Sequence, residues 1–259
     1  MSVVRLPVSR RDVRLRPPAG AEDLLLLEAP ACDTALALEL AACLARPADG
    51  ADLDWGLLAV TDLDALLLRL RQLVFGDRIR AEVVCTAEGC GRRFDVSFQV
   101  GQYLDHHRPG APRGAARENE AGWFRLADAP VRFRLPTAAD QVAVARAADP
   151  EAELIRRCIE PPDPPGPLLD RVQEAMEALA PSLSHDLQGR CPECEVTVEI
   201  DFDAQRFCLR ELREQAAFIY EDVALLARSY HWSEAEILAM PRQRRLRYAE
   251  LARQERSPT

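Results

Sequence analysis

Four of the eight cysteines stand in two close pairs, Cys85 with Cys90 and Cys191 with Cys194. Each pair leads into an alternating run, GRRFDVSF after the first and EVTVEIDF after the second. Two thiols on a tight turn, with about two to four residues between them, supply half of a tetrahedral zinc shell. Two such half-sites suit one ion. Joining Cys85, Cys90, Cys191 and Cys194 around a single Zn²⁺ would make the metal a rivet between distant segments. Four thiolates close the shell, so such a site is structural and leaves no position for water or substrate. Two alternatives stand beside it: ordinary free or buried thiols, or a separate ion at each pair. Separate ions need further ligands, and the histidines offer none at a regular position: His106 and His107 lie in a loop-like stretch, and His185 has no counterpart before Cys85.

The pairs belong to a repeat that must position them. VRLRPPAGAED at residues 13–23 returns as VRFRLPTAADQ at 131–141, and each copy runs on through helical segments to a cysteine pair. In the first copy a helix is predicted over 34–46, with Leu36, Leu40 and Leu44 on one face. A second helix follows, with Thr61 as N-cap, Asp62 and Asp64 in its first turn and Gly76 at its C-terminal end. Residues 78–84 then read as a strand running into Cys85. In the second copy Thr137 is the expected N-cap of one helix, Asp149-Pro150 opens another, and a third covers 168–179. Cys43 and Cys158 fall at matching places among apolar residues and read as small core side chains.

Length and charge bound the function. A chain of 259 residues buries a sizeable core, and a net charge of -9 repels nucleic acid and anionic membrane unless a basic face is segregated. The apolar run at 24–27 is too short for a signal-peptide core or a membrane span. A cytoplasmic, reducing setting follows, where close cysteine pairs mean metal more often than disulfide. No phosphate-binding glycine loop, nucleophile elbow or paired-histidine zinc motif is present, so catalysis and a small-molecule substrate are not expected.

After Phe202 the pattern becomes helical. Asp203 can cap a long helix in which Leu212, Ala216, Ile219, Val223, Leu226 and Tyr230 form a narrow seam. Ser233 and Glu236 form a capping box, and Pro241 opens a last helix rich in arginine: Arg242, Arg244, Arg245, Arg247 and Arg253. With the cysteine knuckles these arginines also suit a zinc-ribbon protein that binds nucleic acid or acts in transcription. Against that, they interleave with Leu246, Tyr248, Glu250 and Leu251 as the polar face of an amphipathic helix, and no second basic patch supports them.

The stretch at 219–251 resembles the C-terminal segment of proteins related to the T-even phage baseplate hub assembly chaperones, which also occur with phage-like contractile injection systems. The matching features are the long helix, the aromatic-Trp-Ser-x-x-Glu-Ile-Leu run at 230–238, the Met240-Pro241 break and the Arg244-Arg245 pair before Tyr248. The CPxC knuckle and alternating strand at 191–202 also look like that family. The resemblance implies a non-enzymatic task, holding or guiding baseplate or hub subunits while a contractile tail assembles. Tyr230, Trp232, Arg244, Arg245 and Tyr248 would lie on the segment that meets a partner.

Together these readings give an α+β protein: two pseudo-repeated halves, each with helices and a zinc-knuckle β-hairpin, and a C-terminal helical segment. The expected divisions are 1–104 for the first half, 105–122 for a flexible linker, 123–202 for the second half and 203–259 for the tail. No membrane span is expected.

Overall fold

The computed structural model describes residues 2–112 and 114–256; residues 1, 113 and 257–259, which belong to the expected first half, linker and tail, lie outside the described residues.

In VRLR the apolar side chains alternate with arginines, the period of a strand with one buried face. That segment pairs with the residues before it and after it. Strands β1 (Ser2–Arg5), β2 (Asp12–Leu15) and β3 (Ala45–Pro47) form an antiparallel sheet in that order, with Val13 and Leu15 buried. Helices α1 (Gly20–Glu28) and α2 (Thr34–Leu44) fill the connection between β2 and β3, and Leu36, Leu40 and Leu44 are all buried. Helix α3 (Val60–Phe75) ends at Gly76, whose φ of +85° suits a residue without Cβ. A hairpin of β4 (Arg78–Val84) and β5 (Arg93–Gln99) follows, then the short α4 (Val100–His106).

The same order returns in the second half. A four-stranded sheet runs β6 (Ala115–Arg117), β7 (Trp123–Leu126), β8 (Arg132–Arg134) and β9 (Ile159–Glu160). Helices α5 (Ala138–Val144) and α6 (Pro150–Cys158) occupy the β8–β9 connection. Helix α7 (Gly166–Leu179) precedes the second hairpin, β10 (His185–Arg190) with β11 (Thr197–Phe202), and α8 (Ala204–Ala216) follows it. Individual bonds repeat too. Arg16 donates to both oxygens of Glu22 at 3.1 and 2.6 Å, and Arg134 to both of Asp140 at 2.5 and 2.9 Å. The same carboxylates accept the backbone N–H of Ala19 and of Thr137, the N-caps of α1 and α5. Asp77 accepts the N–H of Gly101 at the start of α4, as the Ser184 hydroxyl accepts that of Ala204 at the start of α8.

The tail is three more helices: α9 (Ile219–Tyr230), α10 (Glu234–Leu238) and α11 (Arg242–Arg256). Instead of one long helix after Asp203, the chain breaks at Ala217 and Phe218. The apolar period runs unbroken through this point, but the two pieces are buried in different places. Leu212 and Ala216 of α8 join the main core of the first half, while Leu225 and Leu226 of α9 pack with Ile237, Ala249 and Ala252. Arg213 of α8 donates to the carbonyls of Leu26 and Ala29, satisfying the C-terminal end of α1.

Several expected roles change on folding. The N-cap of α3 is Ala59, and the Thr61 hydroxyl instead donates to the Pro181 carbonyl in the second half. Asp62 and Asp64 do not face solvent. Asp62 accepts the N–H groups of Val8 and Ser9, and Asp64 accepts from the Gln205 amide at 2.7 Å in a buried polar cluster with Thr34 and Gln141. Cys43 is exposed and does not match Cys158. Register explains this: Ala45 lies opposite Leu15 and Ile159 opposite Phe133, which makes Leu44 the counterpart of buried Cys158. Within 105–122 the chain contributes β6, whose Ala115 packs on the second-half core.

Candidate metal centre

Each hairpin places its first cysteine directly after the outgoing strand, Cys85 after β4 and Cys191 after β10, and its second on the turn back. Backbone bonds fix both turns: Cys85 N–H donates to Arg92 O at 2.8 Å, and Cys191 N–H to Val196 O at 3.0 Å. The residue after the second cysteine is left-handed in both, Gly91 at φ +57° and Glu195 at φ +60°.

The two hairpins pack face to face, burying Phe94 and Val198, equivalent residues of β5 and β11, between them. Gly189 permits the approach. A Cβ there would lie 2.9 Å from Val96 Cγ2 and 3.3 Å from Phe94 Cε2. The first hairpin carries Val83 at the corresponding place, opposite Phe94, so a large pair in one hairpin meets a small pair in the other.

This packing brings all four thiols together. Their sulfurs lie within 4.8 Å of one another, with Cys85 Sγ 3.5 Å from Cys194 Sγ and Cys90 Sγ 3.9 Å from Cys191 Sγ. The short contacts run crosswise, the first cysteine of each hairpin against the second of the other, as a pseudo-twofold axis requires. A metal with bonds of about 2.3 Å to four tetrahedral sulfurs sets those sulfurs about 3.8 Å apart, so the cluster fits such an ion. The thiols cannot all ionise by themselves. The Cys194 and Glu193 amides draw Cys191 down to about 7. Against the pull of the Ala87 amide, burial and the three neighbouring thiols push Cys85 up to about 12. A cation among the sulfurs would remove that competition.

Among the described residues, no other group of His, Cys, Asp or Glu is gathered this tightly. The histidines do gather, though the sequence offered no sign of it. His107 and His185 have ring centroids 4.8 Å apart and both pack on Tyr103, whose hydroxyl donates to the Leu183 carbonyl.

The residues expected to meet a partner divide in two. Tyr230, Trp232 and Tyr248 form one aromatic cluster, with Trp232 stacked on Tyr230 at 4.7 Å and edge-on to Tyr248 at 5.0 Å, and the Arg244 guanidinium lies 5.9 Å from the Tyr248 ring centre. Arg245 does not belong to any outer face. It is 1 % exposed and, with Arg242, is ion-paired to buried Asp23 of α1, while Asp222 of α9 lies 3.5 Å from its Nε. An amphipathic pattern puts arginines outside by default, and only the two distant buried aspartates reverse that here. Arg253 pairs with Asp222 and Arg247 with Glu250, so most of the basic helix is neutralised by carboxylates.

The chain matches the model of a known protein family. The model described as T4 bacteriophage base plate protein matches residues 1–161, which hold the first half with Cys85 and Cys90 and the second copy of the sheet and its two helices. That match lies upstream of the 219–251 stretch on which the resemblance rested. No curated protein and no solved structure shows significant similarity. Spanning well over half of the sequence, the match shows that the chain belongs to the T4 bacteriophage base plate protein family.

Proposed function

We propose that this chain is a non-enzymatic assembly chaperone or minor structural component of the baseplate or hub, in a contractile phage tail or a phage-like contractile injection system. Structural Zn²⁺ held by Cys85, Cys90, Cys191 and Cys194 stabilises it. The observation that carries this reading is the crosswise thiol cluster in a member of a baseplate family; an ion bound by all four thiols would have no coordination position left for a substrate. When bound, the ion supplies a cross-link between the halves; apparent binding energies for such sites are on the order of 10 kcal/mol, comparable with the stability of a whole domain. The divisions at 104/105, 122/123 and 202/203 then separate two metal-joined halves from a tail. In that tail Tyr230, Trp232, Tyr248 and Arg244 form the face offered to baseplate or hub subunits. The protein works in the cytoplasm and is either released or carried into the particle.

The test is complementation in a host carrying the tail genes with this one deleted. Wild-type protein should restore contractile tails visible by electron microscopy, and Cys191→Ser should not, while a Trp232→Ala/Arg244→Glu variant should fold but fail to co-purify with baseplate subunits. Normal tails without this gene product, or its steeply salt-dependent binding to duplex DNA, would sink the reading.

A further inference from the structure

The duplication shows what one sheet edge lacks. Val13, Arg14 and Leu15 correspond to Val131, Arg132 and Phe133, so pairing register makes Ser2, Val3 and Val4 of β1 the counterparts of Phe124, Arg125 and Leu126 of β7. The outer edge of β7 is covered by β6, with Ala115 opposite Leu126 and Ala116 opposite Arg125. β1 is the end strand of its sheet, and among the described residues no strand pairs with its outer edge.

The uncovered edge offers its own contacts for an added strand. Val3 is 62 % exposed, a large apolar side chain on an open edge strand. Beside β1 and against α3 lies a cleft of about 260 Å³ with Val4, Leu6, Ala65 and Leu104 as apolar walls. In the second half Ala115 of β6 is packed into the core at the corresponding edge. Charge points the same way. Arg132, the counterpart of Arg14, is held by Glu118 at 3.6 Å and Glu120 at 2.6 Å from the β6 segment and by Glu160 of β9 at 2.6 Å, whereas Arg14 has Arg46 opposite it. Arg14 is exposed, and Arg5, Arg10, Arg69 and Arg108 line the cleft against one carboxylate, Asp105, which pairs with Arg108, while Arg5 has Asp12 at 4.0 Å.

We propose that the outer edge of β1 is a strand-addition site. Its occupant is an extended segment of a partner protein with small apolar residues opposite Val3 and Val4 and acidic residues against Arg14 and Arg5. Backbone bonds give such a strand its hold, and the alternating pockets and arginines give it selectivity. A second copy of this chain fits poorly, because its β1, Ser2–Arg5, brings an arginine and no carboxylate to meet Arg14.

The probe is a fluorescein-labelled synthetic peptide of residues 114–121, the chain's own covering strand, titrated into the full-length protein and followed by anisotropy. Saturable binding should appear, fall at least tenfold with Arg14→Glu and with a peptide whose two glutamates are lysines, and slow amide hydrogen exchange at Val3 to Arg5. Binding that ignores both changes, or no binding, overturns the proposal. So does a dimer in sedimentation that Val3→Glu abolishes, since the edge would then belong to a second copy.

Discussion

Cys85 Sγ lies 3.5 Å from Cys194 Sγ across 109 residues of chain, and Cys90 and Cys191 repeat that contact at 3.9 Å. If the four thiols share one ion, as proposed, purified protein should carry about one zinc per chain by elemental mass spectrometry. Chelation or Cys191→Ser should abolish binding and lower the unfolding temperature by more than 10 °C, as loss of several kcal/mol does in a chain of this size. Cys43→Ser, at an exposed thiol, should change neither metal content nor stability by more than about 0.5 kcal/mol. Two ions per chain would contradict the shared centre.

The hairpins meet where position 189 has no side chain. Gly189→Val should force Val96 and Phe94 aside, at a cost of about 1–3 kcal/mol for overpacking, and should spread the sulfurs. The expected signature is a drop in zinc affinity, measured by competition with a chelating dye, larger than that of Val83→Ala, which only removes volume. Equal affinity in Gly189→Val and wild type would mean the close approach is not what assembles the centre.

Asp64 ties α3 to Gln205 of α8, and burial pushes its carboxyl up to about 7, although the Gln205 amide favours the charged form. The folded protein therefore holds this proton to about pH 7, while the unfolded chain releases it near the ordinary 3.8. Its contribution to stability is full at the acidic end, declines as pH rises through that window, and is flat above it. Such a displacement is worth on the order of 4 kcal/mol. Asp64→Asn keeps the acceptor without the charge, so denaturation should find it close to wild type at pH 4 and more stable at pH 8. A variant with the same pH slope as wild type would show that Asp64 does not titrate in this window.

What the sequence disclosed were features of short range. The thiol pairs, the strand 78–84, Gly76 at the end of α3, the Thr137 N-cap, the Ser233–Glu236 box and the repeated VRxR segments can be read locally because each depends on neighbours a few residues away. Roles set by distant partners were not legible. Asp62 and Asp64 look like first-turn acids of an exposed helix until residues 8, 9 and 205 are brought to them. The same holds for the break between α8 and α9, since one apolar period serves two separate cores. At the thiol cluster the four cysteines were legible but their crosswise order was not, because it depends on how one hairpin faces the other.

The arginines of α11 show most sharply how a distant residue changes a local reading. Asp23, fully buried in α1, meets both Arg242 and Arg245, and Nη1 of each arginine has no partner among the described residues. Such a cluster stabilises little in itself, because desolvating the charges consumes most of the attraction, but removing one member leaves buried charge unopposed. Asp23→Asn should therefore cost about 3–5 kcal/mol in urea denaturation and detach α11 from α1. Arg247→Ala, which breaks only an exposed pair with Glu250, should cost less than about 1 kcal/mol. Replacing Asp23 and both its arginines, Asp23→Leu with Arg242→Met and Arg245→Met, should destabilise less than Asp23→Asn alone, since Asp222 keeps Arg253 as its partner and no charge is stranded. If the triple variant instead loses the sum of its single changes, the pairs are favourable contacts in their own right, and the cluster is a source of stability rather than a means of fixing where the tail docks.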